Sequence, residues 1–181
     1  MARMLVAYGT SEGQTARIAE AVVDVFRSRG DEAEAVDIDS LDAIALGHYD
    51  GFVLGASIHM GRHDKRAVHF AKAHHEVLAQ IPSAFFSVSL ATAGGEVEEA
   101  QGYVDEFEEQ TGWRPDRVAL FAGALPYTHY GFFKRQMMKK IVKDKPGHLD
   151  TDTSRDYVYT EWDAVTRFAE HFAEQVEAAS A

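Results

Sequence analysis

The sequence predicts an α/β fold: a doubly wound parallel sheet of five strands, order 2-1-3-4-5, with helices on both faces. Three observations carry that prediction. Short apolar runs alternate with segments of helical periodicity along the 181 residues. The runs are almost continuously apolar, as strands buried on both faces are. Polar segments rich in small residues follow the first, third and fourth runs. A sheet of this order gathers its ligand loops at those carboxyl ends, beside the switch point.

Met4 to Tyr8 reads as the first strand. Residues 13–29 place Ile18, Val22, Val25 and Phe26 on one helical face, and Gly30 stops the helix. Ala33–Ile38 and Gly51–Gly55 read as the second and third strands. Residues 64–79 carry Ala67, Phe70, Ala71, His74, Val77 and Leu78 at helical spacing. After Pro82, residues 83–90 form the fourth strand. Residues 96–111 set Val97, Ala100, Val104 and Phe107 on one face, and the other faces hold seven acids and no base. Arg117–Ala122 is the fifth strand. Trp162, Val165, Phe168, Phe172 and Val176 mark the last helix. Residues 1–181 thus read as one domain, with an insert at about 124–156.

Composition removes several classes of function. The absence of cysteine excludes disulfides, cysteine-ligated iron–sulfur clusters and thiol redox chemistry. Redox work would then need an organic cofactor. A formal net charge of −11 argues against general nucleic-acid binding. No apolar run approaches the ~20 residues of a membrane span. The N-terminus lacks a signal-peptide pattern, so the expected location is the cytoplasm.

The first segment after a strand is Gly9-Thr10-Ser11-Glu12-Gly13-Gln14-Thr15. Thr10, Ser11 and Thr15 bring hydroxyls, Gly13 admits close backbone approach, and the following helix presents unpaired N–H groups. No lysine follows the glycine, so it is not the triphosphate P-loop, and no Gly-x-Gly-x-x-Gly occurs. The segment suits a monophosphate held without a cationic side chain, or else plain helix capping. The second segment, residues 55–63, has small residues that admit a flat ring, with His59 and Met60 beside it. It is not a hydrolase elbow, because His59 stands where that motif needs glycine. His59 and His63 are four apart, as metal ligands can be. They are two of nine scattered histidines with no cysteine among them, so no metal is expected. The third segment, residues 89–95, is small enough to clamp the far side of a ring, or is a simple strand-to-helix connection.

Together these features resemble a known family. Thr10-Ser11-Glu12-Gly13-Gln14-Thr15 is similar to the flavodoxin phosphate loop, typically T-x-T-G-x-T. The chain resembles more closely the flavodoxin-like, menaquinone-dependent protoporphyrinogen IX dehydrogenases. These typically carry an acidic residue before the loop glycine, as Glu12 is here. The likeness continues at Gly55-Ala56-Ser57-Ile58, at residues 82–88, at Trp113-Arg114-Pro115-Asp116-Arg117 and at Ala122-Gly123-Ala124-Leu125. It extends to Thr151-Asp152-Thr153 and Tyr159-Thr160-Glu161-Trp162, so nearly the whole chain is covered in order. Met60 departs from relatives that carry an aromatic residue there. Pro126 follows Ala124-Leu125 where the family often has a base. The third loop lacks bases and runs into Glu96, Glu98 and Glu99.

The resemblance implies FMN as cofactor. Thr10, Ser11, Glu12, Gly13, Gln14 and Thr15 would hold its phosphate. Ala56, Ser57, Ile58, His59, Met60 and Gly61, with Ser89, Leu90, Ala91, Thr92 and Gly94, would surround the isoalloxazine. It implies oxidation of protoporphyrinogen IX to protoporphyrin IX with menaquinone as acceptor, in haem biosynthesis. His59 and His129 are candidate proton relays. The alternative is an FMN electron carrier with no small-molecule substrate of its own. Glu12 is expected to turn its carboxylate to solvent while its N–H faces the phosphate. Self-association is left open.

The insert stands out by charge. Phe132 to Lys145 holds six bases and one acid, a local charge of +5. Phe133, Met137, Met138, Ile141 and Val142 fall on one half of a helix, with Arg135, Lys139, Lys140 and Lys143 on the other. Lys134 lies within the apolar arc and would snorkel. A basic amphipathic helix suits an anionic membrane surface, where a quinone partner would reside, on the inner face of the cell membrane. Two other roles stay open. The helix could dock on the core with its bases paired to the acids of 96–109. It could instead be a lid that brings Tyr127, His129, Tyr130 and Phe132 over the flavin.

Overall fold

The computed structural model describes residues 1–41 and 43–181. Its main sheet is built from β1 (Arg3–Gly9), β2 (Glu32–Asp37), β3 (Gly51–His59), β5 (Ser83–Ser89) and β6 (Arg117–Ala122). A short β4 (Arg62–His63) folds back on β3. The order is β2-β1-β3-β5-β6, and every neighbouring pair on that path is parallel. With β4 set aside, this is the 2-1-3-4-5 order expected from the sequence.

The apolar runs become strands because both sheet faces are covered. Side chains alternate between faces along a strand, and here both sets are buried. Met4, Val6, Val53 and Phe86 pack against Ile18, Val22 and Phe26 of α1 (Gln14–Ser28) and Phe168, Phe172 and Val176 of α6 (Trp162–Ser180). Leu5, Phe52, Leu54 and Phe85 pack against Phe70 and Leu78 of α2 (Lys65–Leu78) and Val104 and Phe107 of α4 (Val97–Thr111). Each fully buried side chain of this size contributes about 1.5–3 kcal/mol before entropy is counted. Trp113 closes the second layer at 1% exposure and donates from Nε1 to Ser83 Oγ at 3.3 Å.

The structure corrects the end of the third strand. The sequence places it at Gly55, yet β3 continues to His59. Ser57 pairs with Val88 of β5, and Ile58 with His63 of β4. These partners satisfy a backbone that small residues alone would leave as a loop. The chain reverses at Met60 and Gly61, with φ of 52° and 74°. Positive φ at both central positions is the requirement of a type I′ hairpin turn. The third segment is also more ordered than a loop. Ser89 Oγ accepts from Thr92 N at 3.2 Å and starts a single turn, α3 (Leu90–Ala93).

The insert leaves and rejoins the sheet at one place. β7 (Ala124–Leu125) pairs antiparallel with β8 (Tyr157–Val158). Between them runs α5 (Phe132–Asp144), the helix expected over 132–145. Leu125, Tyr127, Tyr130, Val142 and Leu149 form a small core of its own. That core sits over the carboxyl ends of the strands, where the ligand loops converge.

Candidate functional site

The geometry of the first loop fits an anion. α1 begins at Gly13, whose φ of 91° suits glycine, and no side chain caps its first turn. Thr10 Oγ1 instead accepts from Gly13 N at 2.9 Å, which tightens the loop. The helix therefore directs unpartnered N–H groups and its positive end outward. Thr15 is 1% exposed, and its Oγ1 has no hydrogen-bond partner among the described residues. An orphaned buried hydroxyl beside an uncapped helix start fits a phosphate. Gln14 Nε2 donates to Thr160 Oγ1 at 2.8 Å, and Thr160 Oγ1 donates to Ala122 O at 2.7 Å. The loop is thereby tied to the end of β6.

Arg66 braces the same loop from beneath, a role the sequence did not reveal. Its Nη2 donates to Thr10 O at 2.9 Å and to Asp64 Oδ2 at 2.8 Å, and its Nη1 to Asp39 Oδ2 at 2.6 Å. Asp64 also caps α2 by accepting from Arg66 N. The Arg66 guanidinium holds the Asp64 carboxyl below the usual carboxylate range, although burial opposes it. The Arg66 pKa is raised by Asp64 and Asp39. A signal existed in the Asp64-x-Arg66 spacing at a helix start, but its target lies 56 residues away.

Glu12 corrects an expectation. Its side chain does not turn to solvent but reaches the insert. Oε2 accepts from the Tyr130 hydroxyl and Oε1 from Lys134 Nζ, both at 2.8 Å. Lys134 Nζ also lies 4.5 Å from the centre of the Tyr130 ring. Lys134 is thus a partner of the first loop rather than a snorkelling base. The Tyr130 pKa is raised, first by burial and then by the Glu12 charge.

Above the loop lies a cavity of about 360 Å³. Thr10, Ser11, Glu12, Gly13, Gln14 and Thr15 line one end of it. Ser57, Ile58, His59, Met60, Gly61, Ser89, Leu90 and Ala91 line the other. Three residues expected around the ring lie outside the lining. Ala56 is fully buried in the α2/α4 layer. Thr92 closes the α3 cap. Gly94 lies beneath the insert, where an added Cβ would come within 2.7 Å of Pro146 O. The insert contributes His129, Tyr130, Met138, Ile141, Lys145, Asp156 and Tyr157 to the walls. Among these, Asp156 and Tyr157 gave no sequence signal, because the β7–β8 pairing brings that stretch to the cavity. Arg17, in the first turn of α1, and Tyr103 of α4 were likewise unforeseen.

The candidate histidines separate. His129 Nδ1 lies 3.3 Å from Asp156 Oδ2 at the cavity wall. The Thr128 N–H and hydroxyl both donate to Asp156 and hold its pKa down. His59 is on the cavity rim, whereas His63 is buried with Nε2 2.8 Å from Ser87 Oγ. Burial pushes the His63 pKa down to about 4. The two therefore do not share a metal geometry, and the described residues hold no group of three potential metal ligands.

The roles weighed for α5 divide between its faces. Met138, Ile141 and Val142 turn inward, so the apolar arc read from the sequence is split. Phe132, Phe133 and Met137 turn outward at 70%, 87% and 43% exposure. Docking onto the acidic helix rests on Lys145, which meets Glu96 Oε2 at 2.9 Å and Glu99 Oε1 at 3.4 Å. Burial lowers the Lys145 pKa, but the two carboxylates outweigh it and the net shift is upward.

A doubly wound sheet, an uncapped helix start with an orphaned hydroxyl, and a cavity at the strand ends define an FMN-binding oxidoreductase of flavodoxin type. The chain belongs to the flavodoxin-domain family: the model described as "Flavodoxin domain" matches residues 5–152. It is 35% identical over 173 residues to protoporphyrinogen IX dehydrogenase (quinone) of Escherichia coli K12, covering 94% of each chain. It is 37% identical over 177 residues to the protein of the same name from Leishmania major, covering 94% of this chain and 74% of the other. Among solved structures it resembles a short-chain flavodoxin associated with a PDU bacterial microcompartment. That match has a TM-score of 0.61 at 14% identity and covers 97% of this chain and 99% of the other. An archaeal flavodoxin gives 0.56 at 16% identity, with coverage of 97% and 99%.

Proposed function

We propose that this chain oxidises protoporphyrinogen IX to protoporphyrin IX and passes the electrons to menaquinone. The observation that supports it most is the insert, which adds aromatic and apolar walls to a site whose first loop is that of a flavin carrier. A carrier that exchanges only electrons has no need of such a chamber, whereas a flat tetrapyrrole does. Bound FMN would supply hydride acceptance at N5. The chain's own residues then have three tasks. The amides of Gly13 to Thr15 and the Thr15 hydroxyl hold the phosphate. Tyr130, Met138, Ile141 and Tyr157 exclude water from the ring. His129 takes a proton from the substrate, and Asp156 orients the imidazole.

The exposed edge of α5 supports contact with the membrane in which a quinone resides. Phe132, Phe133 and Met137 stand beside Lys139, Lys140 and Lys143, and these lysines form no ion pair among the described residues. Each base near an anionic leaflet is worth about 1 kcal/mol. No helix among the described residues is long and apolar enough to cross a membrane.

FMN-loaded protein mixed anaerobically with protoporphyrinogen IX and menaquinone is expected to generate porphyrin fluorescence above the rate without protein. An unchanged rate would remove the reading. Sedimentation with anionic vesicles is expected to weaken when Phe132 and Phe133 become Ser, and again with added salt; equal sedimentation would remove the membrane contact alone.

A further inference from the structure

A second cavity, of about 460 Å³, lies between α2 and α4. Gly61 and Tyr103 line both cavities, so the two adjoin at the hairpin turn. The floor is apolar, from Val68 and Phe107, while the rim carries Arg62, Lys65, His69 and Lys72. Lys65, His69 and Lys72 follow at spacings of four and three, which puts them on one face of α2 over ~10 Å. All four rim residues are exposed. None forms an ion pair among the described residues. The acid in the lining, Glu106, accepts from Gln110 Nε2 at 2.8 Å.

This grouping runs against the chain as a whole, whose net charge is −11. It also contrasts with the first cavity. There the acids Glu12 and Asp156 line the wall, Lys145 is held by Glu96 and Glu99, and Arg17 is the one arginine in the lining, beside the first loop. A substrate with an apolar ring and carboxylate arms needs free cations beside an apolar floor. The first cavity offers the apolar walls, and the second offers the larger group of unpaired bases.

We propose that the α2–α4 groove is the subsite for the substrate's propionate carboxylates, with the tetrapyrrole lying across Gly61 toward the flavin cavity. The inference rests on the tetrapyrrole reading above and adds the residues that select for its acid groups. Lys65 and Lys72 act as anchors, Arg62 as the nearest cation to the turn, and His69 as a further donor.

The test uses FMN-loaded protein and the triple variant Lys65→Gln/His69→Gln/Lys72→Gln. None of these side chains lines the first cavity, so FMN content should match the parent. The KM for protoporphyrinogen IX is expected to rise about tenfold with kcat within about twofold, the pattern of lost ground-state binding. Parent and variant should be equal toward the dimethyl ester, which lacks the carboxylates. A KM for the free acid within about twofold of the parent overturns the subsite. Binding of protoporphyrin IX, read by fluorescence, separates this inference from the oxidation itself. If the parent binds the free acid more tightly than the variant does, the groove stands even without turnover. If both bind alike, the groove falls.

Discussion

The Glu12 carboxylate accepts a hydrogen bond from the Tyr130 hydroxyl at 2.8 Å, joining residues 118 apart in sequence. With the Lys134–Glu12 pair beside it, this contact fastens the insert to the loop that would hold the FMN phosphate. Tyr130 is 6% exposed, so its hydroxyl has little access to water as a substitute partner.

Glu12→Ala should strand that hydroxyl at a cost of about 1–3 kcal/mol. Amide exchange across residues 127–145 should quicken, and FMN should bind about tenfold more weakly. Glu12→Gln keeps an acceptor for Tyr130 and loses only the partly exposed Lys134 pair, so its effect should be smaller. Exchange that is the same in parent and Glu12→Ala would show that the contact does not hold the insert.

Arg66→Gln should remove the donor to Thr10 O and leave Asp64 without its main partner. Weaker FMN binding and lower stability at neutral pH are expected. Asp64 has a depressed folded-state pKa, so its contribution is present above the unfolded value of about 3.9 and is lost as pH falls through the folded value. The stability gap between parent and variant should therefore close in acid. Urea midpoints at pH 7 and pH 3 would check this, and a gap of constant size would contradict it.

His63 gives a second pH dependence. Its pKa is about 4 in the fold, against an unfolded value of about 6.5. Between these values the unfolded chain binds the extra proton, so stability is full above the unfolded pKa and falls as pH drops. The loss approaches about 3 kcal/mol near pH 4. His63→Phe suits the neighbouring Phe85 and Phe107 rings and cannot titrate. The variant should show a flatter pH profile between pH 6.5 and 4.5; an identical slope would rule out His63 as its source.

Gly55 is a packing requirement. An added Cβ would lie 2.1 Å from Phe86 Cζ. Gly55→Ala should cost about 1–3 kcal/mol through overpacking. Adding Phe86→Leu should recover part of it, because the two sites touch. A single variant with an unchanged urea midpoint would contradict the contact.

Much of the sheet was legible because its signal is local. Met4-Leu5-Val6-Ala7 is apolar without interruption, residues 83–88 are broken only by Ser83 and Ser87, and two-sided burial explains such runs. The first loop stood out for a similar reason, since its hydroxyls, Gly13 and helix start are consecutive. The end of β3 was not. Ala56, Ser57 and Ile58 resemble a loop until β5 and β4 supply partners for their backbone. The α5 wheel failed in another way. Periodicity gave one apolar arc, but the cavity takes Met138 and Ile141 while Phe133 and Met137 are left outside.

The sequence by itself determined the run of strands and helices, the hydroxyl- and glycine-bearing loop at residues 9–15 and the presence of a basic insert, because each follows from neighbouring residues and their periodicity. Only the tertiary structure decided where the insert lies and what Glu12 does. Those depend on contacts between Glu12 and Tyr130, Arg66 and Thr10, and His129 and Asp156. Their partners are set by how separate elements pack, and no local pattern encodes that. The charge that sits awkwardly in the loop is, in the fold, the point at which the insert is held.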